Sequence, residues 1–233
     1  MPTRQSPPLR LAGFVPFSPV DRPGRLVATA FTQGCPWRCT YCHNPSLQEV
    51  RRPPGATWQE VLDHLGRRRG LLDGLVVSGG EPTLQPGLPD ACRDVHDLGL
   101  EVGLHTGGAW PDRLARVLPH VDWVALDIKA PPRRYARVTG AGPSGAAAWR
   151  SLGLVLASGV DHEVRTTVDP TVHSREDVLA IGAWLTGAGV ERWVLQEARP
   201  DGADPLWARR LRGRRLADVL RDDDLPGVER RVA

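Results

Sequence analysis

The chain has 233 residues, 41% of them hydrophobic and 24% charged, with 22 Pro and 25 Gly. This is length for one domain of fair size or two small ones, with an ordinary globular balance that needs no disulfide framework. The formal charge of +3 permits an acidic partner without indicating nucleic acid. No run approaches the roughly 20 apolar residues of a membrane helix. Residues 1–17, interrupted by Pro2, Pro7, Pro8 and Pro16, lack the apolar core of a signal peptide. The expected compartment is therefore the cytoplasm, where thiols stay reduced.

In chain order, residues 25–32 read as a buried strand and 57–69 as a helix, with Thr57 and Glu60 in a capping-box pattern. A strand over 75–78 precedes a helix over 89–98 that Gly99 closes. Residues 101–106 form a strand, 111–118 a short helix with Pro at its start, and 123–129 a strand. Then come a helix over 144–158 with Ser144 as N-cap, a strand over 162–168 and a Ser-capped helix over 174–188. A strand over 192–196 and a last helix over 206–220 complete the pattern. Six strands alternating with helices predict an α/β fold, a parallel sheet with helices outside. The polar segments 33–42, 78–82, 105–108, 127–129 and 165–167, with Gln196, all fall at strand C-terminal ends, the edge on which parallel α/β folds build sites.

The chemistry is concentrated in Cys35-Pro-Trp-Arg-Cys39-Thr-Tyr-Cys42, a C-x3-C-x2-C spacing. Three of the four cysteines lie within eight residues, which points to metal rather than disulfides. Iron–sulfur clusters are held by cysteine thiolates, usually four. Three thiolates leave one iron of a four-iron cube open to an outside ligand, like the open position of a catalytic metal site. Other readings share these residues. Cys39-Thr-Tyr-Cys42-His43 fits C-x-x-C-H haem attachment but leaves Cys35 unused, and three cysteines with His43 could bind structural zinc or lie inert in a core. Cys92, in a helix, reads as a small core residue.

C-x3-C-x2-C with aromatic Tyr41 before the last cysteine, and Gly79-Gly80-Glu81-Pro82 after the second strand, resemble the signature of the radical S-adenosylmethionine (SAM) superfamily. The stretches Gly13-Phe-Val-Pro-Phe-Ser18, Asp21-Arg-Pro-Gly24, Phe31-Thr-Gln-Gly-Cys35 through Asn44-Pro45, Leu126-Asp-Ile-Lys-Ala-Pro131 and Val164-Arg-Thr-Thr-Val168 resemble its glycyl-radical-enzyme activating branch. Within that branch they are most similar to proteins that activate anaerobic ribonucleoside-triphosphate reductase. The resemblance implies a partial (β/α)6 TIM-type barrel as one domain over 1–233, with its core at about 12–200 and a variable Arg-rich extension over 201–233. It implies a [4Fe-4S] cluster on Cys35, Cys39 and Cys42, with S-adenosyl-L-methionine as cosubstrate. SAM contacts would come from Tyr41, Gly79, Gly80, Glu81, Thr106, Asp127 and Lys129, with Glu81 holding the α-ammonium group. Reductive cleavage would yield a 5′-deoxyadenosyl radical that takes hydrogen from a glycine of the partner reductase. The electron would come from a low-potential donor such as flavodoxin; neither nucleic acid nor membrane is implied. Many relatives read Asp-Thr-Asn-Gly where this chain has His105-Thr106-Gly107-Gly108, so an acidic contact is missing at His105. Glu81 then carries more of that task, or His105 accepts a hydrogen bond as neutral imidazole.

Two compositional features bear on this. Of 30 Lys+Arg only Lys129 is lysine, and Asn44 is the only asparagine; both survivors lie beside the motifs, and lysine and arginine are not interchangeable where a compact ammonium is needed. The densest basic stretch holds Arg209, Arg210, Arg212, Arg214 and Arg215, a solvated helix face or a docking surface for an acidic partner. Arg165 and Gln196 fit either a rim network or a guide for a partner peptide. The competing functions are a radical SAM enzyme acting on a small molecule, such as one resembling 7-carboxy-7-deazaguanine synthase, and a zinc-binding scaffold.

Overall fold

The structure is a computed structural model that describes residues 9–50 and 55–232; residues 1–8 of the stretch read for a leader lie outside it. Its frame is one sheet whose spatial order is the chain order: β1 (Leu11–Ser18), β2 (Val27–Thr32), β3 (Gly74–Gly79), β4 (Glu101–Thr106), β5 (Trp123–Asp127), β6 (Asp161–Val168), β7 (Trp193–Glu197) and β8 (Glu229–Arg231). β1 runs antiparallel to β2, and every later pair is parallel. Parallel neighbours require a crossover. Helices α1 (Trp58–Arg67), α2 (Leu88–His96), α3 (Pro111–Val117), α4 (Tyr135–Thr139), α5 (Ser144–Ser158) and α6 (Arg175–Gly187) lie in the crossovers from β2 to β7, and α7 (Pro205–Leu211) follows β7. β1 and β8 end the sheet without pairing to each other, so the barrel is open, as expected of a partial (β/α)6 architecture.

The strands of the parallel sheet are apolar runs rather than alternating patterns because helices cover one face and the barrel interior the other. Leu75 and Val77 of β3, Leu104 of β4 and Val124 and Leu126 of β5 are almost wholly buried. They share one cluster with Val61 and Leu65 of α1, Val95 of α2, Leu152 of α5 and Ile181 and Leu185 of α6. Each such side chain contributes about 1.5–3 kcal/mol by leaving water. Two helix starts follow their sequence signals. The Thr57 hydroxyl accepts the Glu60 N–H at 3.2 Å while the Glu60 carboxylate accepts the Thr57 N–H at 2.8 Å, and Ser174 and Asp177 form the same box on α6.

Three expectations need correction. Ser144 is the first helical residue of α5, not its cap; Pro143 holds the cap position, and the Ser144 hydroxyl lies 2.9 Å from the Ala141 carbonyl oxygen, to which it donates. The helix expected over 206–220 stops at Leu211, because Arg212 (φ 52°) and Gly213 (φ 69°) turn left-handed; a short 3-10 turn follows at Leu216–Asp218. β1 and β8 lie beyond the six expected strands. Gly13 and Pro16 disguise β1, which tolerates proline as an edge strand.

β8 is only three residues long, and a buried charge secures it. Glu163 of β6 is fully buried and takes Arg231 of β8 through two bonds of 2.9 and 3.1 Å, Arg165 Nε at 2.5 Å and Arg192 Nε at 3.3 Å. Desolvation alone would raise the Glu163 carboxyl; its hydrogen bonds and charge pairing with Arg231 and Arg165 outweigh that and hold it below its ordinary value. Because the folded value is depressed, this stabilisation is present above the unfolded value of about 4.3 and is lost as pH falls through the folded one. Urea unfolding of the parent and Glu163→Gln should therefore differ by about 2–3 kcal/mol near neutrality, and the gap should close in acid. A gap that stays constant down the same pH series contradicts the charged tether.

Candidate active site

All the polar strand ends face one cavity of about 820 Å³, into which Cys35, Glu81, Thr106, Asp127, Arg165 and Gln196 each project from a different segment. Tyr41, Cys39, Cys42, Ser78, Gly79, Gly80 and Lys129 line it as well. That volume suits a cofactor-sized ligand.

The cysteine loop leaves β2 and is anchored from outside. Gly34 N–H donates to Leu47 O at 2.8 Å and Cys35 N–H to Gln48 O at 3.2 Å; on the other side Arg38 N–H reaches Thr139 O at 2.7 Å and Thr40 N–H reaches Val138 O at 3.0 Å. Buried Gln33 donates through Nε2 to Ser46 O and Glu49 O, at 3.1 and 2.5 Å. Thr40, between the second and third cysteines, donates its hydroxyl to the buried Asp169 carboxylate at 2.6 Å. The Asp169 carboxylate also accepts Trp207 Nε1–H at 2.9 Å and Thr171 N–H at 2.8 Å. His173 Nδ1 accepts the Asp169 N–H at 2.9 Å, so its Nε2–H donates to Lys129 O at 2.8 Å. A chain of short bonds thus ties the loop to the ends of β5 and β6 and to α7.

The three thiols are half-buried and free of disulfides. Burial foremost pushes Cys35 up to about 12 and Cys39 up to about 11. Both are therefore protonated without a metal, and cationic metal must displace the protons. Among the described residues no three His, Cys, Asp or Glu side chains converge on a single ion. A multi-iron cluster takes its thiolates on separate irons rather than on one ion. The haem reading omits Cys35, which shares the cavity with the other two. The buried Tyr41 hydroxyl and His43 Nε2, both on the cavity wall, have no protein partner. Thiol donors, unsatisfied polar atoms and volume together fit an iron–sulfur cluster with an organic cosubstrate beside it. Cys92, by contrast, is fully buried in α2 as a core residue, with its thiol pushed up to about 12 by burial.

The Gly-Gly-Glu segment is shaped by backbone proximity. Gly79 has φ 113°, and a Cβ there would sit 2.3 Å from the Thr32 nitrogen; at Gly80 it would sit 2.2 Å from the Gly34 oxygen. Gly80 N–H and Glu81 N–H donate to Thr32 O and Gly34 O, both at 2.9 Å, locking β3 to the start of the cysteine loop. The Glu81 carboxylate, 2% exposed, is already occupied. Oε1 accepts Thr106 Oγ1–H at 2.6 Å, Thr83 Oγ1–H at 2.6 Å and Thr83 N–H at 3.1 Å, while Oε2 accepts Gly107 N–H at 2.9 Å. Thr106 is committed to the same network, its oxygen accepting Gly108 N–H at 3.0 Å. An ammonium group entering here would share Oε2.

Lys129 projects its ammonium to 2.7 Å from Asp127 Oδ2, and to 5.7 and 6.0 Å from the ring centres of Tyr41 and Trp37. Burial would lower its pKa; the charge of Asp127 and its hydrogen bond more than reverse that, so it stays cationic. A compact ammonium fits this cradle, which accounts for the lone lysine. Asn44 lines the cavity and its carbonyl starts a 3-10 turn, but its side chain makes no cap bond and nothing explains its type. His105 is pushed down to about 4 by burial and then by the Arg165 charge, so its imidazole is neutral. Nε2–H donates to Asp21 O at 2.7 Å, leaving Nδ1 to accept from Ser78 Oγ at 3.4 Å. Both nitrogens thus have protein partners.

Several cavity residues carry no local signal. Trp37 shields the site at 5% exposure, packed edge-on to Tyr135 at 5.8 Å. Its place inside the cysteine motif was the available clue. Arg192 and Arg199, which flank β7, and Arg231 of β8 reach the wall. Asp169 and His173 reach the loop only through tertiary contact.

Comparison with known proteins bears on these features. A family model described as "Radical SAM superfamily" matches residues 29–185. A candidate glycyl-radical enzyme activating enzyme, MJ1227 of Methanocaldococcus jannaschii, is 28% identical over 200 residues, covering 83% of this chain and 81% of that protein. The pyruvate formate-lyase-activating enzyme of Clostridium pasteurianum is 36% identical over 132 residues, covering 54% of this chain and 55% of that one. Streptococcus suis SuiB, solved with its precursor peptide SuiA, superposes with a TM-score of 0.58 at 13% identity, over 74% of this chain and 39% of SuiB, a likeness of fold.

The filled carboxylate of Glu81 predicts a structural penalty. In Glu81→Gln, whichever way the amide turns, its NH2 group faces a backbone N–H, that of Thr83 at the Oε1 position or that of Gly107 at the Oε2 position. The metal-free chain should lose about 1–3 kcal/mol in urea unfolding. A side chain waiting only for ligand would leave the unfolding midpoint at the parent value.

Proposed function

The chain belongs to the radical SAM superfamily, and from that premise we propose that it is a glycyl-radical-enzyme activase whose protein substrate is an anaerobic ribonucleoside-triphosphate reductase. Its cofactors are those of the family, a [4Fe-4S] cluster and S-adenosyl-L-methionine. The observation that carries the reading is three free thiols at C-x3-C-x2-C spacing, opening into one cavity with the Gly-Gly-Glu edge and a buried Asp127–Lys129 pair. Likeness to two activating proteins, from Methanocaldococcus jannaschii and Clostridium pasteurianum, supports the activase class. The choice of the reductase rests on the stretches 13–18, 21–24, 31–45, 126–131 and 164–168. Residues 1–233 are read as one domain with its core at about 12–200, working in the cytoplasm with a low-potential donor such as flavodoxin. Among the described residues no helix is long and apolar enough to cross a membrane.

Cys35, Cys39 and Cys42 would hold the cluster through their thiolates, with the cosubstrate beside it in the same cavity. When bound, the two groups supply a 5′-deoxyadenosyl radical upon one-electron reduction. The protein holds, orients and shields. Lys129 offers a fixed cation to an anionic or hydroxylated part of the cosubstrate, with Asp127 keeping it in place. Gly79 and Gly80 present a backbone edge that no side chain obstructs, and Glu81 with Thr106 keeps that edge joined to β4. Trp37 and Tyr41 keep water from one wall, which suppresses quenching of a reactive species.

Anaerobic reconstitution should yield about four iron and four sulfide per chain. Mixing that protein, reduced, with SAM and candidate reductases should give a glycyl doublet in electron paramagnetic resonance. Cys39→Ala should give neither the doublet nor deoxyadenosine. Deoxyadenosine formation with a small molecule but no doublet with any reductase would refute the activase reading in favour of small-molecule chemistry.

A further inference from the structure

The arginine run after Trp207 takes no part in the cavity. Arg209, Arg210, Arg212 and Arg214, with Thr171 and Leu206, line a separate open depression of about 850 Å³ whose wall carries no carboxylate. All four arginines are exposed, and among the described residues none is in an ion pair. Arg214 is held in place by neutral acceptors: Nη1 donates to Pro170 O at 2.9 Å, Nη2 to Arg210 O at 3.1 Å and Nε to Leu211 O at 3.3 Å. Carbonyl oxygens fix the guanidinium without cancelling its charge. Four uncompensated cations around one hollow repel each other, and an anionic surface relieves that repulsion.

The position of the patch indicates which anionic surface. Trp207, on the same helix, donates to Asp169, which also takes the Thr40 hydroxyl from between Cys39 and Cys42. Upstream, Gly202 backs onto the same loop, where a Cβ would sit 2.6 Å from the His43 oxygen. The arginines thus stand on a segment packed directly against the back of the cysteine loop, and none of the four lines the cavity through which a glycine must reach the site. A partner seated there is near the cluster ligands but off the substrate entrance. That is the place for a protein that exchanges an electron, not for one that offers a glycine.

We propose that Arg209, Arg210, Arg212 and Arg214 form the docking surface for an acidic one-electron carrier protein. The inference rests on the proposed function, because only a reductive enzyme consumes an outside electron. The carrier loses one electron and the cluster gains it; no bond or proton changes hands at the patch. Docking by complementary charge gives fast, salt-sensitive encounter.

Two measurements test it with an acidic flavodoxin as probe. In titration calorimetry of the cluster-free chain with oxidised flavodoxin, Arg209→Glu with Arg210→Glu should weaken binding at least about tenfold. Arg209→Lys with Arg210→Lys should stay near the parent, and rising salt should weaken the parent itself. In the cluster-loaded protein, stopped-flow reduction by flavodoxin hydroquinone should slow about tenfold or more in the charge-reversed variant, while reduction by dithionite is unchanged. Equal affinity and equal flavodoxin-driven rates in parent and variant overturn the proposal. So does a variant that loses a candidate reductase or an oligonucleotide but keeps flavodoxin. Should no cluster assemble, the proposed function falls, and calorimetry alone still decides the docking question.

Discussion

The site depends on holding three thiols apart in an open loop. A segment of eight residues is not held in one conformation by itself, and fixing its backbone costs conformational entropy. Here it is anchored from its flanks by main-chain bonds to residues 47–48 and 138–139, and from behind by the Thr40–Asp169 bond. The loop's polar groups are thus satisfied by the scaffold, and its thiols remain free. The energetic consequence is preorganisation: the ordering entropy is met on folding rather than on cluster assembly.

The sheet makes this arrangement possible. Parallel strands put every C-terminal end on one edge, and sequential order brings six such ends round one cavity. Glu81 then acts as a bracket between β3 and β4, and the Lys129 main chain is gripped by Tyr135 and His173. Two charged pairs divide the work. Asp127–Lys129 sits within the cavity, whereas Glu163 with its three arginines secures the far edge through β8. The same buried-pair physics fixes a cation inside the cavity in one case and the last strand at the sheet edge in the other.

Much of this was legible in the sequence where the determinants are local. Apolar runs marked the central strands, Thr57 and Ser174 marked helix starts, and the spacing of Cys35, Cys39 and Cys42 marked the metal chemistry. The lone lysine pointed to a particular cradle, which the aromatic rings and Asp127 provide. Long-range features were not legible. The protein partners of Glu81 are one such feature, because nothing local says that Thr83, Thr106 and Gly107 would hold its oxygens. Asp169 and His173 look like ordinary loop residues until the chain places them behind the cysteine loop. β8, reading Glu-Arg-Arg, has no strand signature and exists because β7 offers an edge and Glu163 a charge. Ser144 suggested a cap, yet its hydroxyl found a closer acceptor in Ala141.

The most direct test of the account is Mössbauer spectroscopy of anaerobically reconstituted, iron-57-enriched protein, with and without S-adenosylmethionine. Three thiolates on a four-iron cube predict that one iron in four changes its isomer shift when the cosubstrate is added, while the other three do not. A spectrum showing four equivalent thiolate-bound irons that ignore the cosubstrate, or no cluster at all, contradicts it.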